Sequence, residues 1–304
     1  MSFRIITPLA LLDENLVASS VAEDVSAEWS AMTTYPAGAY VSVAATHRRY
    51  ISLQAANTGH DPVTAPTWWQ DMGPTNRWAM FDGEISTATE GTTTYLEVKL
   101  NMGTRITDVA LFGLRGTAVT VTYTDTSDGT VLFEETQELS AVPVIDWTSY
   151  WTAPFLYRKE ALFTGIPGLA TGELKVTIQG DGINTAKCGV CIVGTAVEFG
   201  VALAGTKLGF VDYSRRDVDP TFGTVTFTKR DSAKTLELPL EVPGGMLSAV
   251  LTVLESVRGV PVVWIPLVEE DYYPAMVYGW MEDSSCVFSE VSVHHYTLMI
   301  KGLT

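Results

Sequence analysis

Short runs of alternating apolar and polar residues, punctuated by turn formers, constrain this chain more than any other feature. In Tyr95-Leu96-Glu97-Val98-Lys99-Leu100, three aliphatic residues alternate with three that can face water. Successive side chains on an extended backbone point to opposite faces, so this pattern specifies a half-buried strand. Leu174-Lys175-Val176-Thr177-Ile178 repeats it. Apolar-rich runs at 106–111, 119–123, 132–136 and 190–197 follow the same rhythm, with Asp128-Gly129 as a hairpin-type turn. This spacing predicts an antiparallel two-sheet sandwich over residues 74–200.

Residues 201–304 change character. Strands are expected at 223–228, 235–240, 262–265, 276–280 and 291–300. Between them, Met246, Leu247, Val250, Leu251, Leu254 and Val257 make one broad stripe at helical spacing, bounded by Gly244-Gly245 and Gly259. The expected product is an antiparallel α+β domain with one prominent helix. The predicted fold class is therefore mainly β.

Two N-terminal segments precede the sandwich. Residues 1–34 lack the strand-and-turn rhythm. They are expected to be an arm, either a short strand or a segment lying on a neighbouring subunit, with a partly ordered terminus as the alternative. Residues 35–73 are compact and aromatic. Tyr35-Pro36-Ala37-Gly38 signals a turn. Ala39–Val43 and Arg49–Leu53 read as strands, with the reversal at 44–48. Some of Tyr35, Tyr40, Tyr50, Trp68 and Trp69 must fill so small a core. The others are candidates for stacking on a sugar ring. Adjacent Trp68 and Trp69 are expected to divide these tasks.

Charge narrows the partners. With 19 Lys and Arg against 35 Asp and Glu, the net charge is -16, which repels a phosphate backbone. Nucleic acid is thus not an expected partner. No apolar run reaches membrane-spanning length, and the opening residues lack the apolar core of a signal peptide, so membrane insertion is not expected either. The three cysteines, Cys188, Cys191 and Cys286, cannot pair completely. Cys188-Gly-Val-Cys191 has redox or half-zinc spacing, but its apolar setting favours a buried strand. His294-His295 would project to opposite faces of a strand, and His47 and His60 read as turn residues. Asp212, Asp217 and Asp219 around Arg215-Arg216 fit a solvated ion network or a subunit contact. Phosphate-loop, zinc-protease and nucleophile-elbow motifs are absent, so the residues imply no catalytic group, cofactor or metal.

Three resemblances extend this reading. Tyr35–Val41, Arg49–Gly59 and Pro62–Gln70 resemble the small chitin-binding-type carbohydrate modules. By similarity, Tyr40 and Tyr50 match the family's strand tyrosines, and Trp68 or Trp69 its late tryptophan. Leu53-Gln54-Ala55-Ala56 stands where that family often places further tryptophans. Asn76–Gly83 with Ile106–Gly113 resembles the opening of a discoidin-like, galactose-binding-like jelly-roll sandwich. Gly209–Ser214 with Phe222–Val225, Pro261–Ile265 and Val277–Trp280 are similar to bacteriophage tail-associated proteins. That last resemblance implies a noncatalytic virion structural protein of a tail tip or baseplate. It would be made in the host cytoplasm and reside in the tail. Its partners would be other phage tail proteins, copies of itself and host-surface glycan. The alternatives are a purely structural adaptor in the tail or neck, and a carbohydrate-active hydrolase.

Overall fold

The computed structural model describes residues 2–23, 26–141, 146–152, 156–287 and 292–303. The chain is mainly β, in several antiparallel sheets. It opens with β1 (Ser2–Pro8) and β2 (Leu16–Ser19). The aromatic module follows, with β3 (Thr34–Tyr35), β4 (Tyr40–Val43), β5 (Arg48–Ser52), β6 (Asn57–Thr58) and β7 (Trp69–Pro74). Next come β8 (Thr89–Glu90), β9 (Tyr95–Leu100), β10 (Asp108–Phe112), β11 (Ala118–Asp125) and β12 (Val131–Glu138). A short helix α1 (Trp147–Thr152) leads to β13 (Glu160–Thr164), β14 (Gly172–Gln179), β15 (Lys187–Cys188) and β16 (Val190–Ala202). The C-terminal third holds β17 (Lys207–Asp212), β18 (Arg215–Val218), β19 (Val225–Thr228) and β20 (Ser232–Pro243). Helix α2 (Leu247–Ser256), β21 (Val262–Ile265), β22 (Val277–Val287) and β23 (Val293–Gly302) complete it. The expected strand at 291–300 begins at Val293, and Val291 lies outside the described residues.

Two large sheets dominate. A five-stranded sheet runs β12-β11-β14-β9-β2, and a nine-stranded sheet runs β13-β10-β16-β1-β21-β22-β23-β20-β17. Alternation decides which strands face water. In β14, every second residue from Gly172 to Ile178 is buried and those between are half-buried, so one face packs and the other is wetted. All five residues of β10 are buried instead, because both faces of its sheet are covered. Val109 and Leu111 enter the core between the two sheets, while Ala110 and Phe112 enter a core on the opposite face.

Residues 2–8 are not an arm on a neighbour. β1 sits in the middle of the nine-stranded sheet, paired antiparallel with β16 on one side and β21 on the other. Phe3, Ile5 and Ile6 are fully buried. Phe3 stacks on Trp264 at 6.2 Å and meets Phe199 edge-on at 5.2 Å. Apolar side chains gain most where both faces of the strand are withdrawn from water, which a central strand provides and an exposed arm does not. β16 likewise crosses residue 200 and pairs with both β10 and β20. The segments 74–200 and 201–304 therefore share one sheet.

Helix α2 follows the predicted stripe only in part. Val250 and Leu254, with Val257 just beyond the helix, join a core built with β20, β21 and β23, whereas Met246 and Leu251 stay exposed. The helix lies on the edge of its core, so a narrower stripe is covered.

Candidate functional site

In the aromatic module, three short strands pair in the order β4-β5-β7. Register sorts the candidate residues onto two faces. Val41 lies opposite Tyr50, and Ser52 opposite Trp69. This face packs inward: Tyr35, Val41, Tyr50 and Trp69 form the module's buried core. The Tyr35 ring meets Trp69 edge-on at 5.3 Å, and its hydroxyl accepts a hydrogen bond from the Ser30 amide at 2.8 Å. The Trp69 indole N–H donates to the His60 carbonyl at 2.8 Å. Tyr35, Tyr50 and Trp69 are thus placed where no ring face can meet a ligand.

Tyr40 is opposite Ile51, and Ile51 opposite Gln70, on the outward face. Tyr40 is 52% exposed. Trp68 is half-buried, with its ring stacked on His60 at 3.8 Å. His60 in turn hydrogen-bonds Asn57 through Nδ1 at 3.0 Å. One face of the Trp68 indole is therefore taken. The structure brings Tyr40, Ile51 and Gln70 together, and Trp68 packs against the module's core with His60 on its ring. An aromatic ring beside an amide can stack on an apolar surface while the amide hydrogen-bonds a neighbouring polar group, and this row is the part of the module that offers that combination to solvent.

His47 and His60 do not meet. His47 closes the β4–β5 reversal in a left-handed conformation, with φ of 51°. Its ring stacks on Trp78 at 3.9 Å, and its two nitrogens lie 3.0 Å from Glu23 and 2.7 Å from Asp13. Glu23 also accepts from the Thr75 hydroxyl at 3.1 Å and the Trp78 indole at 3.2 Å. This cluster fixes the module against the first turn of the sandwich.

Two further exposed aromatic features lie outside the module. On α1, Trp147 and Trp151 stand four residues apart and pack edge-on at 5.8 Å, largely exposed. Their i, i+4 spacing places them on one helical face and was the available signal. The second is an arm. Among the described residues β18 pairs only with β19, and every residue from Arg215 to Ser232 is exposed. Phe222 at its turn is 80% exposed and Phe227 is 71% exposed. Asp219 accepts from the Thr221 and Phe222 amides and shapes the turn, while Asp217 pairs with Arg215 at 2.8 Å. These acidic residues serve the hairpin and do not converge on a cleft.

At the base of the arm lies a groove of about 540 Å³ between the two ends of the nine-stranded sheet. Phe112, Leu114, Met276, Tyr278 and Leu303 form its apolar wall. Arg115, Lys159, Lys187 and Lys234 also line it. Lys234 is paired with Glu160 at 2.6 Å. Glu90 pairs with both Arg115, at 3.5 Å, and Lys187, at 3.9 Å, and Arg115 also donates to the Thr185 carbonyl at 2.8 Å.

Cys188 and Cys191 are buried in the core between the sheets. Burial raises both thiols, Cys191 to about 12 and Cys188 well above the usual range, so neither supplies a thiolate at neutral pH. His294 is buried and His295 exposed, on opposite faces of β23. Among the described residues no three His, Cys, Asp or Glu side chains converge as a metal site, and no helix is long and apolar enough to cross a membrane.

No family model and no curated relative matches the chain. Among solved structures, it is similar to chitosan-binding module 1 derived from a chitosanase/glucanase of Paenibacillus sp. IK-5, in a selenomethionine-labelled point mutant. The likeness covers 38% of this chain and 82% of that one, at 13% identity and a TM-score of 0.27. A superposition of that quality carries no argument about ligand.

Proposed function

We propose that this chain is a noncatalytic structural component of a phage tail tip or baseplate, held there by its C-terminal unit. One observation carries the reading: the arm at 213–231 projects bare aromatic rings into solvent. Exposed apolar surface of this kind is costly alone and is the usual mark of a protein contact. Phe222 and Phe227 join none of the buried cores formed by the described residues. The arm and the strand that leads into it also hold Gly209–Ser214 and Phe222–Val225, stretches on which the resemblance to tail-associated proteins rests.

The test removes the arm without touching a large sheet. The Tyr213 amide donates to the Asp231 carbonyl at 3.3 Å, so residues 214–230 can be replaced there by an Asn-Gly turn. The shortened chain should keep the wild-type thermal melt and vanish from purified particles. Antibody to the full-length chain should label the tail end. Incorporation of the armless chain at the wild-type level, or absence of the intact chain from purified tails, would sink the reading.

A second reading, weak contact with a host-surface glycan, is favoured specifically by the open Tyr40–Ile51–Gln70 row. Many copies in one particle would multiply a weak site. Tyr40→Ala should lower retention on immobilised host polysaccharide about tenfold, by loss of roughly 1–1.5 kcal/mol of stacking, without changing the melt. Equal retention of the two proteins would rule that row out.

A further inference from the structure

We propose that the arm of one copy docks, turn first, in the basic groove of a second copy. This rests on the assembly reading above and names the partner and the surface it meets.

The arm presents the required shape. Its tip is the turn from Asp219 to Thr224. The Asp219 amide donates to the Thr224 carbonyl and the Gly223 amide to the Asp219 carbonyl, each at 2.9 Å. Phe222 stands at that turn, the most exposed phenylalanine of the chain's described residues. From Asp217 to Thr228 there is no basic residue, so the tip is acidic and apolar at once.

The groove presents the complement. Its wall offers aromatic and aliphatic contacts from Phe112, Tyr278 and Leu303, and its volume accommodates a phenylalanine ring with the turn around it. Lys159 is exposed at its rim, and Arg115 and Lys187 share one carboxylate. Glu160 and Asp231 line the groove too, and four cations against these two carboxylates leave it basic, which is unusual on a chain of net charge -16 and suits an acidic tip.

The occupant comes from another molecule because of reach. Asp231, at the arm's base, lines the groove. At about 3.3 Å per residue, the run from Tyr213 to Asp219 carries the tip about 20 Å from that base. The tip of the same copy therefore stands well away from its own groove. A contact between two different surfaces is heterologous, and its repetition closes a ring or extends a filament.

Two exposed positions test this. Phe222→Asp alters the tip, and Lys159→Glu alters the groove; both variants should melt like wild type. Light scattering across a concentration series should show wild-type self-association, weakened about tenfold or more by either change. Mixing the two variants should then produce a one-to-one pair that neither forms alone. The Lys159→Glu chain keeps an intact arm and the Phe222→Asp chain an intact groove. If only Phe222→Asp weakens association, the groove assignment is overturned while the assembly reading stands. If neither change weakens it, or if the wild type stays monomeric throughout, the proposal fails. Particle labelling then decides the assembly reading separately.

Discussion

A chain lacking residues 2–8 is expected to give no soluble folded protein. The segment supplies β1, the strand that joins β16 to β21 inside the nine-stranded sheet. Three of its side chains, Phe3, Ile5 and Ile6, are fully buried. At roughly 1.5–3 kcal/mol each, their burial is worth about 5–9 kcal/mol, comparable to the whole ~5–15 kcal/mol margin of a folded domain. Its loss also bares two strand edges in the middle of the molecule, an invitation to aggregation. Soluble yield and the thermal melt by circular dichroism report the result. A synthetic peptide spanning residues 2–8, added during refolding, should restore part of the yield. A truncated chain that melts like the full-length one would contradict the placement of β1.

Trp69→Ala should unfold the aromatic module while leaving the large sheets folded. Only four side chains form that module's buried core, and Trp69 is the largest. Replacing a buried tryptophan by alanine costs about 3–5 kcal/mol, more than so small a core can lose. The change also removes the edge-on contact with Tyr35 and the donor to the His60 carbonyl. Amide hydrogen exchange should show protection lost across 35–74 and retained in β9, β11 and β14. Unchanged protection in 35–74 would mean that the core is held by something other than Trp69. Because Tyr50 shares that core, neither Tyr50 nor Trp69 can serve as a probe of sugar binding; Tyr40 can.

The strands were legible because their signal is local. Leu96, Val98 and Leu100 declare an inward face by spacing alone, and each is buried. The role of β1 was not legible. Phe3-Arg4-Ile5-Ile6 alternates poorly because both of its faces are covered: Ile5 enters one core and Ile6 another. Chain order hid the partnership as well, since Ile5 of β1 pairs with Val197 and Trp264, far away in sequence. The candidate residues divided for a related reason. Tyr40 and Tyr50 look equivalent in sequence, but hairpin register puts Tyr50 opposite Val41 and Tyr40 opposite Ile51, on contrary faces. The arm was hidden in another way. Phe222 and Phe227 resemble core residues until the hairpin is seen to stand clear of every sheet.

The chain leaves β2 for the aromatic module at Glu23 and returns at Thr75, where the two side chains touch at 3.1 Å. β2, which precedes the module, and β9, which follows it beyond β8, are partners in one sheet. The module is thus a closed detour whose start and finish coincide. Evolution can exchange such a cassette for another while the scaffold keeps every strand pairing, so what the protein touches and what holds it in place are free to diverge at different rates.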